Sequence, residues 1–353
     1  DVSDDVRPSK VTAAGTRMSD CLSYKEVTVQ QRSPGGRTVA DMGEFTLIGA
    51  VVAGRRQPAT TQLGPGDDAA VVTAADGRVV ATTDVLVQGV HFRLDWSTAE
   101  QVGRKAVAVN LADVAAMGAR PTSVLVGLAC PASTPAQFAM DLAKGMGEEA
   151  ERAGAGLVGG DMVAADQIVI SVTALGDLEG RAPVTRSGAK PGDVLAVAGR
   201  LGWAAAGLAV LGRGFRSPVN VVNAHRWPEP PYQEGPKAAT AGATAMIDVS
   251  DGLLGDLAHI ARASEVSIDV EAGRLEIDRR LAEVGAALGV RPLDWVLTGG
   301  EDHALAATFP PDVPLPEGWR AIGSVLPAED EPAVTVDGEE YQVAEPGWQH
   351  WRR

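Results

Sequence analysis

The sequence is poor in cysteine and in aromatic residues. Of its 353 residues, only Cys21 and Cys130 are cysteines, and 4% are aromatic. Two cysteines cannot build the disulfide framework of a small secreted domain, nor a zinc site made of several cysteines. A reducing, cytoplasmic environment is therefore expected.

Basic residues and long apolar runs are also scarce. The chain has 31 basic against 46 acidic residues, a formal net charge of −15, which makes nucleic acid and anionic membranes poor partners. No apolar run reaches the ~20 residues that a membrane-spanning helix needs. The G-x-x-x-x-G-K-[ST] motif of P-loop proteins and the motif set of protein kinases are also missing.

The residues that are present predict an α/β (α+β type) fold in two domains. Apolar residues make up 45% of the chain, enough for a large core, and 41 glycines and 22 prolines indicate many tight turns. Short apolar runs of strand length alternate with helical patterns. We expect a polar, disordered extension over 1–42, a first domain over 43–180 and a second over 181–353.

Local patterns predict most of the elements. Ser97-Thr98-Ala99-Glu100 is typical of a capping box, opening a helix that ends near Met117. A glycine-rich turn is expected before the strand at 168, and the proline-containing stretch 213–236 is expected to be a surface excursion. Strands are predicted over 124–129, 168–175, 194–198, 245–249 and 303–309, and helices over 135–153, 202–211 and 252–263.

A hairpin is predicted around Asp76-Gly77, a strong two-residue turn signal. Its strands would be 69–74 and 78–83. In that register residue 68 lies opposite residue 85, which would place Asp68 beside Asp84.

Several aspartates fall where strands end or helix faces are packed. Asp113 shares a mostly small or apolar helix face with Ala106, Asn110 and Met117. Asp248 ends a predicted strand. Further acids follow glycine pairs or open a helix: Asp161, Asp251, Glu301 and Asp302.

Carboxylates in such positions suit hard, oxygen-ligated cations. Mg²⁺ takes one or two carboxylates plus phosphate oxygens, so an acidic cluster can serve an anionic phosphate ligand. Simpler interpretations stay open for single residues. Asp67 and Asp251 are equally consistent with turn or cap residues, and Ser250 is as consistent with a helix N-cap as with a ligand.

The segment Gly154-Ala155-Gly156-Leu157-Val158-Gly159 matches G-x-G-x-x-G. A dinucleotide-binding motif follows a strand and opens a helix, whereas here a helix precedes the glycines and an apolar strand follows. The context therefore disfavours an oxidoreductase.

An ordered set of motifs is more specific than any one of them. Together they resemble the thiamine-monophosphate kinases, within the aminoimidazole ribonucleotide synthetase-like superfamily, over about residues 43–351. The motifs are Gly66-Asp67-Asp68-Ala69-Ala70, Thr82-Thr83-Asp84, Asn110 to Gly118, Gly159-Gly160-Asp161, Thr185 to Asp193, Ile247 to Leu253 and Gly299-Gly300-Glu301-Asp302.

The resemblance implies a two-domain fold with mixed sheets flanked by helices, and a homodimer with ATP sites near the subunit interface. It implies transfer of the ATP γ-phosphoryl group to thiamine monophosphate, assisted by several Mg²⁺ ions. The implied metal ligands are Asp68, Thr82, Thr83, Asp84, Asp113, Asp161, Asp248 and Asp251. The implied ATP contacts are Gly160, Asp161, Arg186 and Ser250, the acceptor contacts are His91, Glu301 and Trp348, and the catalytic residues are Asp113 and Arg186.

Some alternatives stay open at this point. Trp351 rivals Trp348 for the acceptor contact, and the aromatic adenine contact that the family often carries before Gly159 has no counterpart near 147–153. Another ATP-dependent enzyme of the same superfamily is the alternative activity. A nucleotide-binding sensor without turnover is the alternative of a different class.

Overall fold

The structure, a computed structural model, describes residues 37–65 and 69–342. The helices are α1 (Val39–Met42), α2 (Glu44–Val52), α3 (Ala99–Ala116), α4 (Ala136–Ala153), α5 (Trp203–Gly212), α6 (Val219–Arg226), α7 (Glu234–Ala241), α8 (Leu253–Ser264), α9 (Arg279–Leu288) and α10 (Pro292–Thr298). The strands are β1 (Thr61–Leu63), β2 (Val71–Val72), β3 (Val80–Val87), β4 (Arg120–Cys130), β5 (Gly156–Ala164), β6 (Val169–Asp177), β7 (Val194–Ala198), β8 (Ala245–Val249), β9 (Val266–Val270), β10 (Ala304–Phe309), β11 (Trp319–Pro327) and β12 (Val334–Val336).

Two mixed sheets dominate the fold. The first has the strand order β3-β6-β4-β5, with one parallel pair, β4 and β5. The second has the order β12-β9-β11-β7-β10-β8, with one parallel pair, β12 and β9. The predicted α/β class with mixed sheets flanked by helices is confirmed, while the boundary near residue 180 stays a prediction.

Helix α3 lies between the two sheets. It packs against β3, β4 and β6 of the first sheet and against β8 and β10 of the second. Most of its residues are buried, as expected of a helix covered on opposite sides. It also crosses α4 backbone to backbone, because a Cβ at Gly103 would lie 2.0 Å from the Leu142 carbonyl oxygen, and one at Gly145 would lie 1.9 Å from that of Glu100.

The N-terminus of α3 is capped one residue later than predicted. The Thr98 hydroxyl accepts a hydrogen bond from the Gln101 backbone N–H, and the Gln101 side chain accepts one from the Thr98 N–H. The capping box is therefore Thr98 with Gln101, and not Ser97 with Glu100. The predicted end of the helix is confirmed, with Gly118 in the left-handed region at φ 73°.

The predicted hairpin around Asp76-Gly77 is wrong. Gly77 does make a turn, but β2 pairs with β1, and β3 pairs with β6 over eight positions. Since β2 is only two residues long, the longer ladder with β6 decides the pairing of β3. The register that placed Asp68 beside Asp84 therefore does not exist, and Asp68 itself lies outside the described residues.

Three other segments are more ordered than predicted. The glycine-rich stretch is strand β5, in which Gly160 passes so close to β4 that a Cβ would lie 2.2 Å from the Val126 carbonyl oxygen. The expected surface excursion 213–236 contains α6 and the start of α7, because its prolines punctuate helices without preventing them. Finally, α1 falls inside the predicted extension 1–42, whose first 36 residues lie outside the described chain.

Across residues 37–65 and 69–342, no helix combines the length and apolar character needed to span a membrane.

Candidate functional site

The first part of the site joins α3 to strand β3. The Thr82 hydroxyl donates to the Asp113 carboxylate at 2.8 Å. The Asp84 backbone N–H donates to the Asn110 side-chain oxygen at 2.8 Å, and the Asn110 amide nitrogen donates to the Ala106 carbonyl oxygen. The helix face that carries Ala106, Asn110 and Asp113 therefore lies against the strand that carries Thr82 and Asp84.

The second part of the site lies where β8 and β10 meet. Asp248 and His303 are both buried, and their Oδ2 and Nδ1 atoms are 3.0 Å apart. Burial opposes the charged form of His303, but its contact with Asp248, together with the charges of Asp113 and Glu301, raises the pKa of the imidazole above its ordinary value. The pair thus places a carboxylate and an imidazole in direct contact in the interior.

Aspartate side chains between β3 and α8 affect one another's pKa. Burial, and then the charges of Asp248 and Asp84, raise the pKa of Asp113 to about 7. Burial, and then Asp248, raise the pKa of Asp256 to about 7 as well. We call Asp84, Asp113, Asp248, Asp251 and Asp256 the acidic row. It runs from β3 of the first sheet through α3 to β8 of the second sheet and on to α8.

The acidic row fits a divalent cation held with the help of a phosphate ligand. Within residues 37–65 and 69–342, no three aspartate, glutamate, histidine or cysteine side chains form a group that could hold a metal ion alone. Mg²⁺ does not need such a cage, since it takes one or two carboxylates and completes its shell with water and phosphate oxygens. Burial and the neighbouring charges disfavour the ionised form of Asp113, and a bound cation would offset both effects.

Two loops beside the row touch backbone to backbone. A Cβ at Gly300 would lie 2.4 Å from the Ser250 carbonyl oxygen, and one at Gly252 would lie 2.5 Å from that of Thr298. The Glu301 N–H donates to the Ser250 carbonyl oxygen at 2.7 Å. The glycines that precede Glu301 and α8 are therefore needed for this contact, which brings Ser250, Asp251 and Glu301 into one neighbourhood.

Glu301 is the partly exposed member of a polar cluster whose other two side chains are buried. Lys105 donates to Glu301 at 2.7 Å and to the His91 carbonyl oxygen at 3.1 Å. His225 Nδ1 lies 3.1 Å from the other Glu301 carboxylate oxygen. Burial works against ionisation of Glu301, but Lys105 and His225 overcome it and hold its pKa well below the usual range. Lys105 thus links the Glu301 carboxylate to the backbone of His91, whose ring nitrogen Nδ1 accepts a hydrogen bond from the Val87 N–H at 3.0 Å.

Two aspartates at the site accept hydrogen bonds from backbone N–H groups. Asp302 accepts from the Gly202 and Ala204 N–H groups at 2.6 and 2.8 Å, which caps α5. Asp256 accepts from the Asp251 and Gly252 N–H groups at 3.0 and 3.1 Å. Both side chains support the site through local structure.

Arg186, predicted to contact ATP, is exposed on the α8 side of the acidic row. Its charge, after burial, lowers the pKa of His259, while Asp251 raises it. The Arg186 carbonyl oxygen accepts from Ser264, at the end of α8. Arg186, Asp251 and His259 therefore share one surface.

Some predicted ligands lie apart from the acidic row. Thr83 points to the opposite face of β3 from Thr82 and Asp84, where its hydroxyl donates to the Val172 carbonyl oxygen. Asp161 lies on β5, at the far edge of the same sheet, with its carboxylate accepting from the Met162 N–H. Three strand spacings separate β5 from β3, roughly 14 Å, so one chain does not bring Asp161 to Asp84.

The remaining predicted contacts cannot be placed. Asp68, Trp348 and its rival Trp351 lie outside the described residues. Their roles stay predictions, as do the ligand roles of the described residues.

Comparison with known proteins shows the family. The family described as AIR synthase related protein, N-terminal domain, matches residues 66–178, and that described as AIR synthase related protein, C-terminal domain, matches 190–306. The thiamine-monophosphate kinase of Mycobacterium tuberculosis (strain ATCC 25618 / H37Rv) is 56% identical over 330 residues, which cover 93% of this chain and 96% of that protein. The chain belongs to the thiamine-monophosphate kinase family.

Solved structures of thiamine-monophosphate kinases share the fold. The crystal structure of the enzyme from Stenotrophomonas maltophilia K279a has a TM-score of 0.71 at 31% identity, covering 84% of this chain and 95% of that one. The structure described as AaThiL complexed with AMPPCP and TMP has a TM-score of 0.71 at 30% identity, covering 88% and 98%. The two-domain architecture predicted from the family motifs is confirmed.

Four site residues were not predicted from the sequence: Lys105, His225, Asp256 and His303. Lys105 stands on α3 two turns before Asp113, and a lysine amid valines and alanines could have signalled a buried ion pair. His225 lies in the stretch expected to be at the surface. His303 directly follows the Glu301-Asp302 motif, but its contact with Asp248 depends on the pairing of β8 and β10.

Proposed function

We propose that this chain transfers the γ-phosphoryl group of ATP to thiamine monophosphate, giving ADP and thiamine diphosphate. The observation that carries the proposal is the acidic row, which crosses from the first sheet to the second and ends beside Glu301. The names of the relatives, and the AMPPCP and TMP in the AaThiL structure, agree with it.

The residues of the acidic row would hold Mg²⁺ together with the nucleotide phosphates. Asp84, Asp113 and Asp248 would supply oxygen ligands, and His303 contacts Asp248 alone of the three. When bound, Mg²⁺ supplies charge neutralisation for the phosphate oxygens. Thr82 holds the orientation of Asp113 through its 2.8 Å hydrogen bond.

The positions of Arg186 and Ser250 suit phosphate binding. Arg186 offers a planar donor fork on the exposed side of α8. Ser250 stands two residues before Gly252, the N-cap of α8, and the N-terminus of a helix favours an anion. These groups orient the donor, while His91 and Glu301 face the acceptor.

The acceptor needs no strong general base, because a phosphate monoester is already largely ionised at neutral pH. Catalysis would then rest on positioning and on charge. We therefore infer a direct in-line displacement without a phosphoenzyme. A chirally labelled γ-thiophosphate donor should give inversion at phosphorus, and net retention would overturn the mechanism.

A homodimer agrees with the open face of the first sheet. Residues directly opposite in the ladders share a face, so the register places Val85, Ser171, Gly127 and Asp161 in one row on the face away from α3. Val85 and Val163 on this face are 47% and 54% exposed. A second copy packed there would cover these valines and would bring its own Asp161 to the interface.

The direct test is a coupled assay with purified protein, Mg-ATP and a set of acceptors: thiamine, thiamine monophosphate and other phosphorylated small molecules. The expected result is ADP and thiamine diphosphate from thiamine monophosphate alone. ATP binding without turnover on any acceptor would favour a nucleotide sensor. Turnover on a different phosphorylated acceptor would favour another enzyme of the superfamily. A cytoplasmic location stays a prediction from the sequence.

A further inference from the structure

Two side chains contact the Glu301 carboxylate, one from each predicted domain. Lys105 reaches it from α3 at 2.7 Å, and His225 reaches it from α6 at 3.1 Å. The Lys105 side chain is 4% exposed and that of His225 is 8% exposed, whereas that of Glu301 is 33% exposed. The two partners are thus buried behind a carboxylate that stays accessible.

The two partners contribute in different ways. Burial, and then the charge of Lys105, lower the pKa of His225, so its ring is neutral at pH 7. Lys105 therefore supplies the compensating charge, and His225 supplies a second fixed contact. A lysine in this position is costly unless it is paired, which ties Lys105 to Glu301.

Residues of the first predicted domain fix the position of His225 and of the segment that carries it. Trp96 packs edge-on against the His225 ring, with centroids 6.1 Å apart. Further along the same segment, the Tyr232 hydroxyl donates to the fully buried Glu149 of α4 at 2.7 Å. The segment that carries His225 is therefore fastened to α4 and to the loop before α3.

We propose that Lys105 and His225 are positioning residues that fix the Glu301 carboxylate for the acceptor. The proposal rests on the proposed function, in which Glu301 contacts thiamine monophosphate. Because Lys105 already balances its charge, Glu301 recognises the acceptor by accepting a directed hydrogen bond, rather than by attracting its positive charge. The backbone of Glu301, at φ 67°, the hydrogen bond from Lys105 and the 3.1 Å approach of His225 Nδ1 restrict the orientation of the carboxylate.

A double-mutant cycle with Lys105→Met and Glu301→Gln tests this proposal. The readouts are kcat/KM for thiamine monophosphate at saturating Mg-ATP, KM for ATP, and binding of thiamine monophosphate by calorimetry without turnover. If Lys105 acts through Glu301, each single variant should lose about tenfold or more in acceptor affinity, equivalent to about 1.4 kcal/mol. The double variant should be no worse than Glu301→Gln alone.

Additive losses in the cycle would overturn the proposal, because Lys105 would then contact the acceptor itself. If Lys105→Met does not fold, the double variant removes the unpaired carboxylate, and its comparison with Glu301→Gln carries the same decision. His225→Asn, with and without Glu301→Gln, repeats the cycle from the other side of the carboxylate, and additivity there would equally overturn it.

The matched control is Lys237→Met. Lys237 also lies 2.7 Å from a glutamate, Glu234, but on the exposed surface of α7, and both KM values should stay unchanged. The wild-type protein separates the two proposals. If it neither binds nor phosphorylates thiamine monophosphate, the proposed function fails. If it does both and the cycles are additive, only the positioning roles fail.

Discussion

The substitution Asp113→Asn should make the protein more stable and less active. Asp113 is largely buried, and its pKa is raised from 3.8 to about 7 by burial and by the charges of Asp248 and Asp84. At 1.36 kcal/mol per pH unit, that rise corresponds to about 4 kcal/mol of strain in the ionised form. Relaxation reduces this, so we expect a gain of about 1–3 kcal/mol in the metal-free protein. Asn keeps an acceptor for Thr82.

The assay pairs stability with turnover. Chemical denaturation with chelator present gives the free energy of unfolding, and phosphoryl transfer at saturating Mg²⁺ gives kcat. We expect kcat to fall at least about a hundredfold, which is about 2.7 kcal/mol of transition-state stabilisation. Unchanged turnover would make Asp113 a structural residue, and a loss of stability would refute the electrostatic reasoning.

Asp302→Asn is the matched control. Its pKa is also raised to about 7 by burial, but both of its oxygens accept backbone hydrogen bonds from Gly202 and Ala204. Asn has only one acceptor oxygen, so this variant should lose about 1–3 kcal/mol of stability. Two buried acids with similar pKa values should thus respond in opposite directions.

Three further predictions follow from the site and the sheets. Exhaustive chelation should abolish activity and Mg²⁺ should restore it, because the acidic row repels phosphate; turnover with Mg²⁺ verified absent would contradict this. If the proposed dimer forms through the open face, Val163→Asp should give monomers in light scattering, whereas Leu326→Asp, at another exposed position, should not; identical masses for both would remove the open face as the interface. Glu301→Gln should cost roughly 1–2 kcal/mol at pH 7, discounted for partial exposure. Since the pKa of Glu301 is lowered by Lys105 and His225, that stability is present above about pH 4.3 and is lost as the pH falls, so denaturation curves of the two proteins should converge below it. A constant difference down to pH 3 would contradict the ion pair.

Local signals predicted the parts of the fold in which one segment determines its own structure. The end of α3 was predictable because Gly118, without a Cβ atom, can adopt the left-handed conformation that ends a helix. The strands over 194–198 and 245–249 were predictable from short apolar runs. Local signals did not predict which strands pair with each other. The sequence predicted the turn at Asp76-Gly77 correctly. Strand β3 nevertheless pairs with β6, which lies almost 90 residues later in the chain. Strand β5 was missed because its glycines mark close contact with β4 rather than a turn.

The site was predictable to the extent that ordered motifs carry it. The motifs named Asp84, Asp113 and Asp248, and the structure connects them through the electrostatics of Asp113. They could not reveal that Asp161 stands at the opposite edge of the sheet, because strand order is a tertiary property. Nor could they reveal Lys105, whose partner lies 196 residues further along the chain.

Because α3 is buried between the two sheets, it fixes the distance between the residues it carries. Lys105 and Asp113 stand on it eight positions apart, about 12 Å along the axis at 1.5 Å per residue. One end of that length carries the lysine that pairs with Glu301, and the other carries an aspartate of the acidic row. A substitution that shifts α3 along its axis should therefore disturb the Glu301 pair and the acidic row together.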